Sequence, residues 1–284
     1  MILMVLSFLM LLLFPSLTHQ GIKNGLALIL NQVIPSLFPF ILISNLLQNI
    51  VSKTNHFLYI ITGFLSGYPL GAKAVSEINI SNSKISKQDL LVLCNNPSIA
   101  YMLSFIGEQC FQRKIYGLCI YFSILTGNIF CIFLKHLGMN LTLKHRRKRQ
   151  TLCPCSLSPA DFDHSIKNTF HSLCAISTYI LLFSTISVFI QCIHWIPDTY
   201  KDIVLGLCEI TNGTLQISQT NIPLNDKLIL ITGITSFGGF SVFAQTHAMI
   251  YTSDLSIKKY MTDKAIASVI AMYVMYGFTL LFNY

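Results

Sequence analysis

Residues 61–77 read ITGFLSGYPLGAKAVSE, and this stretch decides the fold of the chain. Three glycines and Pro69 stand close together in a segment whose flanks are apolar. Each glycine weakens a helix by about 0.5–1 kcal/mol, and the proline removes a backbone hydrogen-bond donor. Lys73 follows, although a lysine is costly in hydrocarbon. Because broken backbone at membrane depth is tolerated only against protein or water, the stretch predicts a discontinuous helix that lines a solute site.

The composition places the whole chain in a membrane. Of its 284 residues, 53% are hydrophobic and 11% are charged, whereas soluble domains carry about 25% charged residues. The mean hydropathy is +0.61. These values predict an integral membrane protein.

The apolar blocks predict an all-α polytopic protein. A helix that crosses a bilayer needs about 17–25 residues, and the chain contains about nine blocks that can cross or enter it. The first block lacks the basic start and the cleavage site of a signal peptide, so we expect it to be retained. The predicted blocks are 2–17, 25–50, 57–76, 89–107, 115–137, 166–193, 200–218, 228–250 and 264–282.

A basic loop divides the chain into two membrane halves, 1–137 and 166–284. The loop, 138–165, contains the run KHRRKR at 144–149. Short basic loops stay on the cytoplasmic side, so we predict that this loop is cytoplasmic, with the N-terminus outside and the C-terminus inside. The same rule accounts for the net charge of +8 without nucleic acid as a partner.

The two halves share a pattern. ITGFLSGYPLGAKAVSEINI at 61–80 aligns without a gap with ITGITSFGGFSVFAQTHAMI at 231–250. Both segments break near their middle, at Gly-Tyr-Pro and at Phe-Gly-Gly. Under the predicted topology they run in opposite directions. Inverted repeats with paired broken helices indicate a transporter with its site near the bilayer midplane.

The first half supplies a set of candidate binding residues. Lys73 and the backbone N–H groups of a broken helix attract anions, although a lysine near a helix end also snorkels to the interface. Asn95 and Asn96 precede a second proline and bring amides that need partners in a dry setting, or lie in a hydrated turn. The residues predicted to bind solute here are Gly67, Tyr68, Gly71, Lys73, Asn95 and Asn96.

The second half supplies the counterpart, namely Gly238, Gly239, Ser241 and Gln245. The serine and the amide can bind a solute or join helices. Glu209 is the acid of its apolar block. An ionisable group there predicts a coupling site for a proton or cation, or a partner of Lys73, unless it lies at the interface.

Nothing in the sequence indicates an enzyme. Nucleophile, metalloprotease and phosphate-loop motifs are absent from it. The nine cysteines form no disulfide framework, and Cys153 and Cys155 lack the second pair that a zinc site needs. We therefore predict no metal and no cofactor.

Several motifs resemble one family, the YlbJ-type sporulation integral membrane proteins with a nucleoside-recognition or Gate type of membrane domain. These motifs are SLFPF at 36–40, GFLSGYPLGAK at 63–73, CNNPSIAYMLSFIG at 94–107, GNI at 127–129, CEIT at 208–211 and SFGGFSVFAQ at 236–245. The resemblance implies two Gate-like repeats and a role in endospore formation. It also implies movement of dipicolinic acid from the mother cell toward the forespore, in the cell membrane or the outer forespore membrane.

Two other functions stay open at this point. A nucleoside or nucleobase carrier would take an uncharged solute and would not need Lys73. A membrane scaffold would use the 138–165 loop as a docking site and would transport nothing. The oligomeric state also stays open, and a homo-oligomer is compatible with the sequence.

Overall fold

The computed structural model describes residues 11–50, 61, 67–77, 85–137, 159–193 and 197–282. Within these ranges the regular structure is entirely helical, which confirms the all-α prediction. The helices are α1 Pro15–Leu28, α2 Ile34–Ile50, α3 Leu70–Glu77, α4 Lys87–Cys94, α5 Lys114–Leu137, α6 Pro159–Gln191, α7 Asp198–Cys208, α8 Ile210–Gln219, α9 Leu224–Phe237, α10 Gly239–Ile250 and α11 Ile257–Phe282. Two π-helical segments, Ile29–Val33 and Tyr101–Cys110, also occur.

Four described helical stretches are long and apolar enough to cross a membrane. They are Lys114–Leu137, Phe162–Gln191, Leu224–Ile250 and Ile257–Leu281. They overlap the predicted blocks 115–137, 166–193, 228–250 and 264–282, which confirms these blocks as candidate spans. The full count of about nine segments and the inverted relation of the halves stay predictions. The basic loop before residue 159, most of the first block and part of the third block lie outside the described residues.

The predicted blocks 2–17 and 25–50 are joined by helix in the described residues. The chain is helical without interruption from α1 through the first π-helical segment to the end of α2. The glycines of this region serve packing instead of a turn, because a Cβ on Gly21 would lie only 2.5 Å from Thr185 Cα. Gly25 packs against the same helix, α6, through Ser184. The first described helices therefore lie against α6 along much of its length.

The predicted block 200–218 consists of two short helices, and its membrane crossing stays a prediction. A Cβ on Gly213 would lie 2.0 Å from Gly206 Cα, although residues seven apart in a straight helix are separated by about 10 Å. Helices α7 and α8 therefore fold back on each other at Glu209. Each arm is about 15 Å long, half of a hydrocarbon core of about 30 Å. The block forms a helical hairpin, which hydrophobicity alone does not distinguish from a single straight helix.

Helices α5 and α11 pack antiparallel in the core. The Ser123 hydroxyl lies 3.7 Å from Met275 Sδ near one end of the pair. Near the other end, Lys135 Nζ lies 2.8 Å from Asp263 Oδ2 and 2.9 Å from Asp89 Oδ1. Since Asp89 belongs to α4, this ion-pair cluster joins three helices. It fixes α4 just before Asn95 and Asn96, the residues that we call the asparagine break.

Candidate solute site at the helix breaks

The two breaks predicted from the glycines are present. Gly67 has φ +74°, and Gly238 and Gly239 have φ +94° and +73°, a region that glycine adopts without strain. Helix α3 begins three residues after the first break, and α10 begins at the second. Helices α3 and α10 contact each other, so the two breaks meet in the fold.

The first break packs directly on the asparagine segment. A Cβ on Gly67 would lie 2.6 Å from Ser98 N, and one on Gly71 would lie 2.2 Å from Cys94 O. The Tyr68 N–H donates a 2.8 Å hydrogen bond to Asn96 O. Gly67 and Gly71 therefore allow two interrupted backbones to approach more closely than any side chain would permit.

The second break packs on the hairpin. A Cβ on Gly239 would lie 2.9 Å from Leu207 O and 3.2 Å from Gly206 O. These carbonyls belong to the last turn of α7, next to the tip of the hairpin at Glu209. The positive φ of Gly238 and the close approach at Gly239 thus place the start of α10 against the hairpin tip.

A cavity of about 480 Å³ lies where these elements meet. Ile176, near the middle of the span Phe162–Gln191, lines it, so the cavity lies at membrane depth. Four residues predicted from the sequence line its wall, namely Tyr68, Glu209, Ser241 and Gln245. The others, Gly67, Gly71, Lys73, Asn95, Asn96, Gly238 and Gly239, do not line it.

The cavity offers aromatic and amide groups to a solute. The Gln245 amide donates a 3.2 Å hydrogen bond to Ser241 Oγ, while its Oε1 accepts none from the described residues. The Tyr68 hydroxyl is buried and has no hydrogen-bond partner in that part of the chain. Tyr101 also lines the wall, so two phenol rings face the same space as the Gln245 amide.

The charged side chains that line the cavity differ in their exposure. Glu209 is 3% exposed, whereas Lys114 and Glu108 are well exposed and form an ion pair of 2.9 Å. Lys114 is the cation among the described lining residues. The buried wall that the structure describes therefore carries an acid and no lysine or arginine.

Glu209 caps the second arm of the hairpin. Its Oε1 accepts a hydrogen bond of 3.0 Å from Thr211 N, and its Oε2 accepts one of 2.8 Å from Asn212 N. Free N–H groups at a helix N-terminus favour a carboxylate in this position. The predicted coupling acid is thus buried in the cavity wall, and its role in coupling stays a prediction.

Asn95 joins the breaks to the rest of the core. It is fully buried, and its Oδ1 accepts a hydrogen bond of 3.2 Å from Ala72 N in the first turn of α3. Its Nδ2 donates to Thr246 Oγ1 and to Tyr260 Oη, both at 2.8 Å. The Tyr260 hydroxyl donates back to Asn95 O at 3.0 Å. The side chain therefore links α3, α10 and α11, and its role as a solute ligand stays a prediction.

Asn96 belongs to a separate buried network around Lys264. Its Oδ1 accepts hydrogen bonds of 2.8 Å from Lys264 Nζ and 2.7 Å from Asn128 Nδ2. Lys264 also lies 3.3 Å from Asn128 Oδ1, and it forms no ion pair within the described residues. Lys264 was not among the predicted site residues, because it stands at the first position of an apolar block. The adjacent charged residues Asp263 and Lys264 were the feature of the sequence that could have indicated this network.

Lys73 lies apart from the cavity in α3. It is partly buried, and its Nζ forms no hydrogen bond or ion pair with the described residues. Its backbone carbonyl accepts a hydrogen bond of 2.8 Å from Ser76 Oγ. Its assignment as an anion ligand therefore stays a prediction without support from a shared cavity.

The described residues contain no group of three His, Cys, Asp or Glu side chains that could hold a metal. Seven cysteines within that part of the chain are free thiols. Cys153 and Cys155 lie outside the described residues.

Fold and site together define a class of protein: a multi-pass, all-α integral membrane protein with discontinuous helices around a cavity lined by both apolar and polar residues. The chain is similar to the sporulation integral membrane protein YlbJ of Bacillus subtilis (strain 168), with 23% identity over 321 aligned residues. The alignment covers 90% of this chain and 76% of that protein. This similarity confirms the YlbJ-type resemblance. No family model matches the chain and no solved structure matches it, so the Gate-type architecture stays a prediction.

Proposed function

We propose that this protein is a transporter or facilitated channel for a small solute in a membrane of a spore-forming cell. The observation that supports this proposal most strongly is the cavity at membrane depth. Its wall is formed by residues next to the interrupted helices. Secondary transporters form their solute sites from discontinuous helices in this way. The sporulation context rests on the relative, which is named as a sporulation protein.

The proposed solute is dipicolinate, moved from the mother cell toward the forespore. Its planar pyridine ring suits a wall with two tyrosines, Tyr68 and Tyr101, because aromatic rings gain from offset or edge contacts. The Gln245 amide and the Ser241 hydroxyl can bind its carboxylate oxygens. This choice of solute rests on the YlbJ-type resemblance together with that chemistry.

Alternating access would take place around this cavity. The hairpin α7–α8 is a suitable moving part because it enters the fold only part-way and touches α10 through the glycine contact at Gly239. The Asn95 and Lys264 networks are buried and bonded within the core, so they would form the fixed frame. In this mechanism the hairpin would move, and the asparagine break would stay fixed.

Glu209 would be the coupling acid of this cycle. An ionised carboxylate in the wall repels an anionic solute, and two unit charges 4 Å apart at an effective dielectric constant of about 20 interact by about 4 kcal/mol. Protonation of Glu209 removes this repulsion. We therefore infer that dipicolinate binds together with a proton.

The Glu209→Gln variant tests the coupling. We expect dipicolinate binding at neutral pH to become at least about tenfold tighter, because the repulsive charge is absent. Wild-type affinity should rise as the pH falls, whereas the variant should show no such rise. Isothermal titration in nanodiscs between about pH 5 and pH 8 measures both curves. Parallel curves for the two proteins would exclude Glu209 as the coupling acid.

A nucleoside or nucleobase carrier is the second candidate. Among the described residues, the buried part of the cavity wall contains the acid Glu209 and no cation. Such a wall favours an uncharged aromatic solute over a dianion, because the acid would repel a negative charge. The two tyrosines would stack on a base as they would on a pyridine ring.

Binding to the purified wild-type protein separates the two candidates. Dipicolinate and uridine would be titrated side by side into nanodiscs, with empty nanodiscs as the control. Dipicolinate binding without uridine binding is the expected result. Uridine binding alone would replace the anion with the nucleoside, and binding of neither would leave the transport proposal without a solute.

A further inference from the structure

A second cavity, of about 400 Å³, lies beside the hairpin between α1, α6 and α8. Eight of its twelve described lining residues carry uncharged amide or hydroxyl side chains, and none of the twelve is charged. Gln191 at the end of α6 and Gln219 at the end of α8 both line it, so it lies at the end of the bundle where these helices stop. We call it the amide cavity.

The amide cavity adjoins the solute cavity. Asn31 lines both. Along α6, Ile180 lines the solute cavity and Ser184, one turn later, lines the amide cavity. Along α8, Thr211 lines the former and Asn212 the latter. Three separate segments therefore reach from one cavity to the other within one helical turn.

The two cavities meet at the turn that Glu209 caps. One oxygen of this carboxylate is bound by Thr211 N and the other by Asn212 N, and these two residues line different cavities. The carboxylate itself belongs to the wall of the solute cavity. Asn212 and Asn31 thus lie between the buried acid and the amide cavity.

The lining of the amide cavity suits a polar occupant. The side-chain amides of Gln191 and Gln216 form no hydrogen bond within the described part of the chain. The Ser187 hydroxyl donates to Phe183 O at 2.8 Å, which leaves its oxygen free to accept. Asn24, Asn31, Gln191 and Gln219 are exposed, so the cavity opens to the outside of the fold, and a cavity of this size lined by amides and hydroxyls can hold ordered water.

We propose that the amide cavity is a hydrated entrance that admits water and other small uncharged polar molecules to the Glu209 turn, separately from the solute. A charged dicarboxylate finds no cation in its described wall, so the entrance selects against the proposed solute. The role of water at Glu209 rests on the proposed function, but the existence of the entrance does not.

Cysteine accessibility tests the entrance without any solute. Ser187→Cys places a thiol in the amide cavity, while Ile186→Cys places one on the adjacent outward-facing position of the same helix, at nearly the same depth. Peptide mass spectrometry would follow each thiol in the otherwise unchanged chain during reaction with a hydrophilic methanethiosulfonate reagent. Gln216→Cys provides a second cavity position in case the first variant does not fold.

We expect the cavity thiols to react at least about tenfold faster than the thiol at position 186, because only a thiol in contact with water ionises readily. Equal or slower reaction of both cavity thiols in monodisperse protein would show that the cavity is dry or closed, and would overturn the proposal. That result would leave the proposed function unchanged, since dipicolinate binding is measured independently.

Discussion

Asn95→Ala will destabilise the protein severely. The change removes the side-chain oxygen that accepts a hydrogen bond from Ala72 N and the amide that donates to Thr246 and Tyr260. All of these residues are buried. Each buried polar group left without a partner costs about 1–3 kcal/mol, so we expect a loss of about 3 kcal/mol or more in the free energy of unfolding. Unfolding in detergent, followed by circular dichroism, measures this loss.

A matched asparagine controls for the residue type. Asn168 lies on α6, and its amide contacts His164 in an exposed setting. We expect Asn168→Ala to change stability by no more than about 0.5 kcal/mol. Similar stability of the two variants would mean that Asn95 does not hold the breaks together. A fully stable Asn95→Ala protein that had lost solute binding would instead make Asn95 a solute ligand, as the sequence predicts.

Gly213→Ala will disrupt the hairpin. The new Cβ would lie 2.0 Å from Gly206 Cα and 2.4 Å from Gly206 N, and backbone atoms cannot move aside as a side chain does. Overpacking of this kind costs about 1–3 kcal/mol. Because the hairpin tip carries Glu209, we also expect solute binding to fall.

Gly277→Ala is the matched control. Gly277 lies in α11, and a Cβ there would meet no heavy atom within 4 Å. Alanine in place of a helical glycine in open space should add about 0.5–1 kcal/mol of stability. Thermal unfolding of the two variants should therefore move in opposite directions. Movement in the same direction would contradict the close crossing of the hairpin arms.

Local chemistry explains what the sequence could predict. Glycine and proline act on their own backbone, so the breaks at Gly67 and Gly238 were visible without a structure. The role of Gly21 was not visible, because it lies in a contact with Thr185, far away in the sequence. The hairpin was missed for the same reason, since Gly206 and Gly213 reveal the fold only when they touch. Long-range packing is not encoded in hydrophobicity.

The site residues likewise divide into those that the sequence predicted and those that only the fold reveals. Tyr68, Glu209, Ser241 and Gln245 were predicted from polar groups in apolar blocks, and they line one cavity. Lys264 stands at a block boundary, where charge is ordinary, and its burial becomes visible only in the fold.

Dipicolinate uptake by proteoliposomes tests most directly whether the cavity carries the solute. Gln245→Leu removes a polar group from the cavity wall, and Ala248→Leu adds the same side chain on the exposed side of α10. We predict that Gln245→Leu lowers uptake by about tenfold or more, since a hydrogen bond to a charged group is worth about 1.5–3 kcal/mol. Ala248→Leu should retain uptake. Equal uptake by Gln245→Leu and wild-type protein would contradict the assignment of the cavity as the solute site.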